Sequence, residues 1–382
     1  MLRLLLFLTV FCTIYGLLNF YVFLKVKTGL APGTVQSAML LVFMAVMVVS
    51  PILTRTASRL GFGSTASLLA YLGYTWMGFL FLVAFSCFIL DLYHMVMHLI
   101  SSIASRDLSS LVLPARQSFL VILVLCAVAG TYAFFEALAV RTDHLVIKTS
   151  KIPKELGKVR IVQISDVHLG IIVQENRLKR IIDRVKEADP DILVSTGDLL
   201  DGQLADVSTL AAMFRQIHPR YGKFAVTGNH EFYVGLEHSL KFMNEAGFTI
   251  LRGEWVSVGG AVTLIGVDDA AFARGNAGYP ISEKEILSQV PGAGFRILLK
   301  HRPEVHPDSI GRFDLQLSGH THGSQLLPFK VISKLFYPYN TGLIRLGRAS
   351  ILYVTRGSGT WGPPMRLLVP PEVTVIDLVH QN

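Results

Sequence analysis

The chain has 382 residues, too many for one ordinary domain, with 51% hydrophobic and only 16% charged residues and a formal charge of +8. The imbalance is local: residues 1–143 hold 8 of the 35 basic and 4 of the 27 acidic side chains, whereas the remainder reads as an ordinary globular domain. Neither part carries a concentrated basic stripe, which argues against a nucleic-acid partner.

Four apolar runs of membrane-spanning length open the chain, each near the roughly 20 residues a helical span needs. They cover residues 4–24, about 35–53, about 66–90 and about 119–140, with charges such as Lys25, Lys27, Arg55, Arg59 and Arg116 at their ends. A cleaved signal peptide explains the first run poorly, because no small-residue cleavage site precedes three further spans. All three cysteines (Cys12, Cys87, Cys126) fall in these runs and read as small buried hydrophobes. Asp91, His94 and His98 share one helix face, and Glu136 lies inside the fourth run. Ionisable groups at membrane depth are functional candidates by default, but near span ends a structural or interfacial role is the expectation. An even number of spans puts both termini on one side. The Lys/Arg bias then favours a cytoplasmic catalytic domain, by a margin that depends on Lys148, Lys151 and Lys154.

The expected division is a helical membrane region, residues 1–143, and a catalytic domain, residues 144–382. In the second part strands are expected at residues 159–165, 192–196, 224–227, 295–299, 313–318, 351–355 and 373–378, with a hairpin over 256–267 turning at Gly259-Gly260. Helices are expected over 174–188, where Leu178, Ile181, Ile182 and Val185 recur at helical spacing, and over about 206–217 and 236–246. Mixed strands with α/β crossovers predict two packed sheets flanked by helices.

Five short polar motifs sit where these strands end, which is where α/β sheets form ligand sites. They are Asp166-Val-His168, Gly197-Asp198, Gly228-Asn229-His230-Glu231, His301, and Gly319-His320-Thr321-His322. Each alone occurs by chance. As an ordered set they supply nitrogen and oxygen donors for two adjacent divalent cations, which points to displacement at phosphorus. Asp166 with His168, and His320 with His322, are expected to face one cavity by strand-like alternation. Gly197 lets the backbone approach a metal, and Asp198 is the natural carboxylate to bridge two cations. His218, His238, His306 and His380 stand outside this context.

The series D-x-H, GD, GNH(D/E), H, GHxH resembles the signature of the calcineurin-like metallophosphoesterases, over about residues 144–382. Segments such as Gly197–Gly202 (GDLLDG) and SGHTHGSQ from Ser318 are similar to its membrane-tethered branch, near a bacterial UDP-diacylglucosamine hydrolase. Ser324 stands where a second glycine is common and Glu231 where Asp is commoner; neither change removes a ligand. The resemblance implies a four-layer α/β/β/α sandwich. It implies that Asp166, His168, Asp198 and His322 hold one metal, and that Asp198, Asn229, His301 and His320 hold the other. His230 is then no ligand but stands beside the scissile phosphate, with Glu231 read as its orienting partner. Manganese, iron(II) and zinc all suit the donor set. Arg356 and Arg366 are read either as phosphate contacts through planar forks or as surface salt bridges. The implied activity is a membrane-anchored, dinuclear-metal phosphodiesterase or pyrophosphatase acting on a phosphorylated lipid or amphiphile such as UDP-diacylglucosamine. A phosphomonoesterase, a phosphoprotein phosphatase and a non-catalytic scaffold are the alternatives.

Overall fold

The computed structural model describes residues 2–202, 208–271, 282–292, 294–347 and 349–381, the side chains of residues 2–4 and 331 excepted. The chain separates into two compact units, Met1–Phe134 with Gly362–Met365, and Phe135–Trp361 with Arg366–Asn382.

The first unit is built on four helices, α1 (Leu2–Leu30), α2 (Thr34–Arg59), α3 (Gly63–Ala104) and α4 (Ala115–Glu136), all long and apolar enough to cross a membrane. Their apolar residues run round the whole circumference, the pattern of a helix in apolar surroundings. The third helix is longer than the expected span at residues 66–90. Its 42 residues rise about 63 Å at 1.5 Å each, twice the roughly 30 Å of a hydrocarbon core. Asp91 does not end it, because the carboxylate accepts from Lys25 Nζ at 2.5 Å and Tyr21 OH at 2.7 Å on α1. That pairing gives Asp91 a structural role.

The second unit holds two six-stranded sheets. The first has the order β1 (Arg141–Thr149), β12 (Glu372–His380), β2 (Lys158–Ile164), β3 (Ile192–Ser195), β4 (Lys223–Ala225), β5 (Thr249–Ile250). The second has the order β10 (Gly342–Leu346), β11 (Ser350–Val354), β9 (Leu315–Ser318), β8 (Phe295–Leu299), β7 (Val262–Gly266), β6 (Glu254–Val258). Strands β2 to β5 run parallel, as do β7, β8, β9 and β11. Their continuous apolar runs follow from burial on both faces. Ile297 and Leu299 point into the core between the sheets, with Ile161, Val194 and Leu317. Leu298, between them, points the other way, onto Ile286 and Leu287 of an outer helix.

Helices α5 (Glu175–Ala188), α6 (Ser208–Arg215), α7 (Asn229–Val234), α8 (Leu236–Glu245), α9 (Glu283–Gln289) and α10 (Phe329–Phe336) complete the unit. The expected stripe Leu178, Ile181, Ile182, Val185 is the buried face of α5. The four-layer sandwich and the expected strands are present, and the β6–β7 hairpin turns through Gly259 and Gly260, both at positive φ. Residues 206 and 207 of the expected helix over 206–217 lie outside the described residues. Strands β1, β5 and β10 and helices α7, α9 and α10 were not anticipated. β1 and β10 are sheet-edge strands whose burial alternates with exposure, so they lack the apolar run that marks a central strand.

Candidate metal centre

The parallel strands β2, β3, β4, β8 and β9 all deliver their carboxyl ends to one edge of the sandwich, and the five motifs follow directly. Past the strand ends the backbone turns sharply. Asp166, His168, Asp198, His320 and His322 all take left-handed conformations, with φ of 51°, 53°, 54°, 71° and 51°. Such residues cost about 1–3 kcal/mol each and persist where the surroundings over-determine them, chiefly at functional sites. The pairs Asp166/His168 and His320/His322 therefore converge through left-handed turns rather than by strand alternation, because β2 and β9 have already ended. Val167, between the first pair, is fully buried.

Three overlapping groups result: Asp166 with His168 and His322, Asp198 with His301 and His320, and His168 with Asp198 and His230. In the first, His168 Nε2 lies 3.0 Å from His322 Nε2, which is 3.5 Å from Asp166 Oδ1. In the second, His301 Nε2 lies 3.1 Å from His320 Nδ1 and 3.2 Å from Asp198 Oδ2. The same Asp198 oxygen is 3.8 Å from His168 Nε2, so one carboxylate oxygen stands between the clusters. Its other oxygen accepts from the backbone N–H of His230 at 2.8 Å. Asn229, the seventh ligand-type residue, is buried, and its Oδ1 has no hydrogen-bond partner among the described residues.

Glycines allow this closeness. A Cβ on Gly228 would stand 2.1 Å from Asp198 Oδ1. One on Gly197, at φ 96°, would meet the Gly228 backbone at 2.6 Å and His301 Nδ1 at 2.9 Å. Gly197 thus admits its neighbouring loop and a histidine ring, not a metal directly.

Around these donors lies a set of partners that only the structure reveals. Glu231 does not touch the His230 ring. Its buried carboxylate accepts the backbone N–H groups of Gly228 (2.7 Å), Asp198 (2.9 Å) and Leu199 (2.8 Å), pinning the two loops together. The His230 partner is Asp201, whose Oδ1 is 2.7 Å from Nδ1. Asp201 is the functional candidate the sequence reading missed. Its only signal was the second carboxylate of GDLLDG, three residues after Asp198. Arg356 forms a salt bridge at the surface and in the interior at once, and Arg366 is neither a surface ion nor a free fork for phosphate. Arg356 pairs with Asp143 and Glu372, at 2.6 and 2.5 Å. Arg366 is fully buried, donates to the carbonyls of His322 and Arg356 at 2.8 Å, and reaches His322 Nδ1 at 3.1 Å. It positions His322. Arg366→Lys keeps the charge but loses the planar fork. We expect it to weaken metal affinity about 10–100-fold, the usual cost of an outer-shell partner, as read by competition with a chelator.

The charge state suits cations. Burial drives His320 down to about 2 and His322 well below its ordinary value, so both are neutral, as ligation requires. Burial also opposes protonation of His301, but the charges of Asp198, Asp166 and Asp269 outweigh it and carry its pKa up to about 10. A proton there supplies the positive charge that the carboxylates demand, and a cation held by His301 would displace it, because only the neutral imidazole ligates. His301 Nδ1 donates to the Thr196 carbonyl at 2.8 Å, which orients Nε2 inward. The facing imidazole nitrogens, the unpartnered Asn229 oxygen and the absence of thiolates fit two hard or borderline cations.

Residues 159–324 match the calcineurin-like phosphoesterase family model. The chain is 41% identical over 255 residues to an uncharacterized metallophosphoesterase of Aquifex aeolicus, covering 65% of this chain and 95% of that one. It is 33% identical over 284 residues to an uncharacterized metallophosphoesterase of Helicobacter pylori, covering 71% and 74%. It is also 32% identical over 276 residues to the transmembrane protein with metallophosphoesterase domain of Danio rerio, covering 69% of this chain and 63% of that one. Proteins of this kind use a dinuclear metal centre. With the paired donor clusters lying inside the matched segment, the chain belongs to the calcineurin-like metallophosphoesterase family and is a metal-dependent phosphoesterase.

Proposed function

We propose that the chain is a membrane-anchored phosphodiesterase or pyrophosphatase whose substrate is a phosphorylated lipid or other amphiphile, such as UDP-diacylglucosamine. The observation that carries this reading is a full donor set with a His230–Asp201 pair, on a chain that also has four helices of membrane-spanning length. In this reading residues 144–382 form the catalytic domain, tethered on the cytoplasmic face by residues 1–143.

Asp166, His168, Asp198 and His322 would hold one cation, and Asp198, Asn229, His301 and His320 the other, with Asp198 common to both sets. The pair supplies Lewis-acid polarisation of the phosphate and neutralises charge building on its oxygens. The chain's own chemistry centres on His230. Asp201 holds Nδ1, leaving Nε2 to donate a proton to the leaving oxygen. Burial alone would lower the His230 pKa, but the Asp201 bond and the charges of Asp198, Asp201 and Glu231 carry it up to about 9. The imidazolium therefore persists at neutral pH and is lost as pH rises through that value. In Asp201→Asn the carboxylate that favours it is gone. The basic limb of the kcat profile should then move to lower pH, with metal content unchanged; a limb that stays in place removes Asp201 from this role.

Purified protein with manganese, assayed on bis-p-nitrophenyl phosphate, p-nitrophenyl phosphate and UDP-diacylglucosamine, tests the activity. Diester or pyrophosphate cleavage ahead of the monoester is expected. Faster monoester turnover would favour a phosphomonoesterase, and no hydrolysis with both cations bound would leave a scaffold. A topology reporter on the C-terminus should report the cytoplasm.

A further inference from the structure

Helix α10, Phe329–Phe336, is exposed on its apolar side. Ile332 is 46%, Leu335 82% and Phe336 74% exposed. At 100° per residue these three and Phe329 fall in one arc of about 120°. Lys330 and Lys334 lie on a different arc. Ser333, between the two, faces the chain: its Oγ is 2.5 Å from Ser324 Oγ and takes the Asn340 amide N–H at 3.0 Å. Large exposed apolar groups gathered on one short helix mark an interaction surface.

The helix is continuous with the metal centre at both ends. Tyr337, directly after it, has its OH 2.8 Å from His320 Nε2. Gln325, four residues before it, exchanges two hydrogen bonds with the Trp361 backbone. The Trp361 ring lies 5.7 Å from His230, and Tyr233 lies 5.4 Å from it on the same imidazole. Both residues are 54% exposed. The site is thus rimmed by exposed aromatic rings beside His230 and by an exposed apolar helix beside His320.

We infer that α10 is an interfacial helix that seats its Ile332–Leu335–Phe336 face in the surface of an anionic bilayer, beside the metal centre. The occupant follows from the chemistry. A mixed apolar and lysine helix is the composition that enters the headgroup and acyl boundary, about 5–10 Å deep, and the lysines meet anionic headgroups. The same chain carries four helices of membrane-spanning length, so a bilayer is the surface always at hand. This deepens the lipid-substrate reading and rests on it only for the identity of what is hydrolysed: a phosphoester whose acyl part stays in the leaflet would reach the metals without leaving the membrane.

The test uses the full chain in lipid nanodiscs containing phosphatidylglycerol, with Leu335→Trp as the probe. Brominated acyl chains should quench the added tryptophan emission about twofold or more beyond the wild-type signal. An added emission that bromine leaves unchanged, as for an indole in water or under a partner protein, overturns the inference. Leu335→Ser/Phe336→Ser should lower kcat/KM on a bilayer-dispersed phosphoester about tenfold or more, while hydrolysis of soluble bis-p-nitrophenyl phosphate stays within about twofold. Equal loss on both substrates also overturns it. If the wild type cleaves no bilayer lipid, the substrate reading fails and the quenching result alone decides the role of α10.

Discussion

His230→Ala should lower kcat about 10²–10⁴-fold, the usual worth of a positioned general acid, with two cations still bound. The ring's one bond between the two loops, Nδ1 to Asp201 Oδ1 at 2.7 Å, is lost, but the Glu231 carboxylate still joins them through the Asp198, Leu199 and Gly228 N–H groups. The backbone contact to Asp198, from the His230 N–H to Oδ1, survives the substitution. Asp198→Asn should behave differently. Its Oδ2 stands between His168 and His301 and its charge holds the site's positive partners. We expect metal affinity to fall by more than the 10–100-fold of an outer-shell change, and activity to fall with it. Metal analysis beside single-turnover rates separates the two variants. Lost cations in His230→Ala would make it a ligand and overturn its assignment as the acid.

Glu231→Ala should be the most destabilising single change near the centre. The carboxylate has no solvent exposure and accepts three short backbone N–H bonds from both loops. Removing it leaves three buried donors unsatisfied at about 1–3 kcal/mol each, and with the low end of that range for each a loss of at least about 3 kcal/mol is expected. For a unit of this size that lowers Tm by roughly 10 °C. Activity should fall too, because the Asp198 and Asn229 loops lose the group that sets their separation. Thermal unfolding of the reconstituted protein reads the effect. A shift of under about 2 °C would mean that water or a neighbour satisfies the donors.

Much of this site was legible as an ordered list of donors behind apolar runs, because strands buried on both faces leave an unmistakable sequence trace. Asp166, His168, Asp198, His301, His320 and His322 were expected by type and position, and the fold brings them together in groups that could hold a metal ion. What could not be read was pairing. Glu231 was expected to serve His230, yet it binds backbone amides. The partner of His230 is Asp201, an aspartate that sequence leaves as one of many. Of the two readings of the arginines, Arg356 takes the salt bridge, to the partly exposed Asp143 and the buried Glu372, whereas Arg366 takes neither and donates to backbone carbonyls.

By itself, then, the sequence determined the division into membrane-length helices and a two-sheet domain, and which residue types line the strand ends. Hydrophobic periodicity is local and survives without knowledge of the fold. Tertiary structure decided which carboxylate meets which imidazole, through left-handed turns at Asp166, His168, Asp198, His320 and His322, a conformation that Asp and His tolerate better than most residues but that local sequence does not impose. It also decided that the apolar face of α10 stays exposed. Contacts across 30 to 150 residues set these outcomes, and a chain shows its long-range contacts only once it is folded.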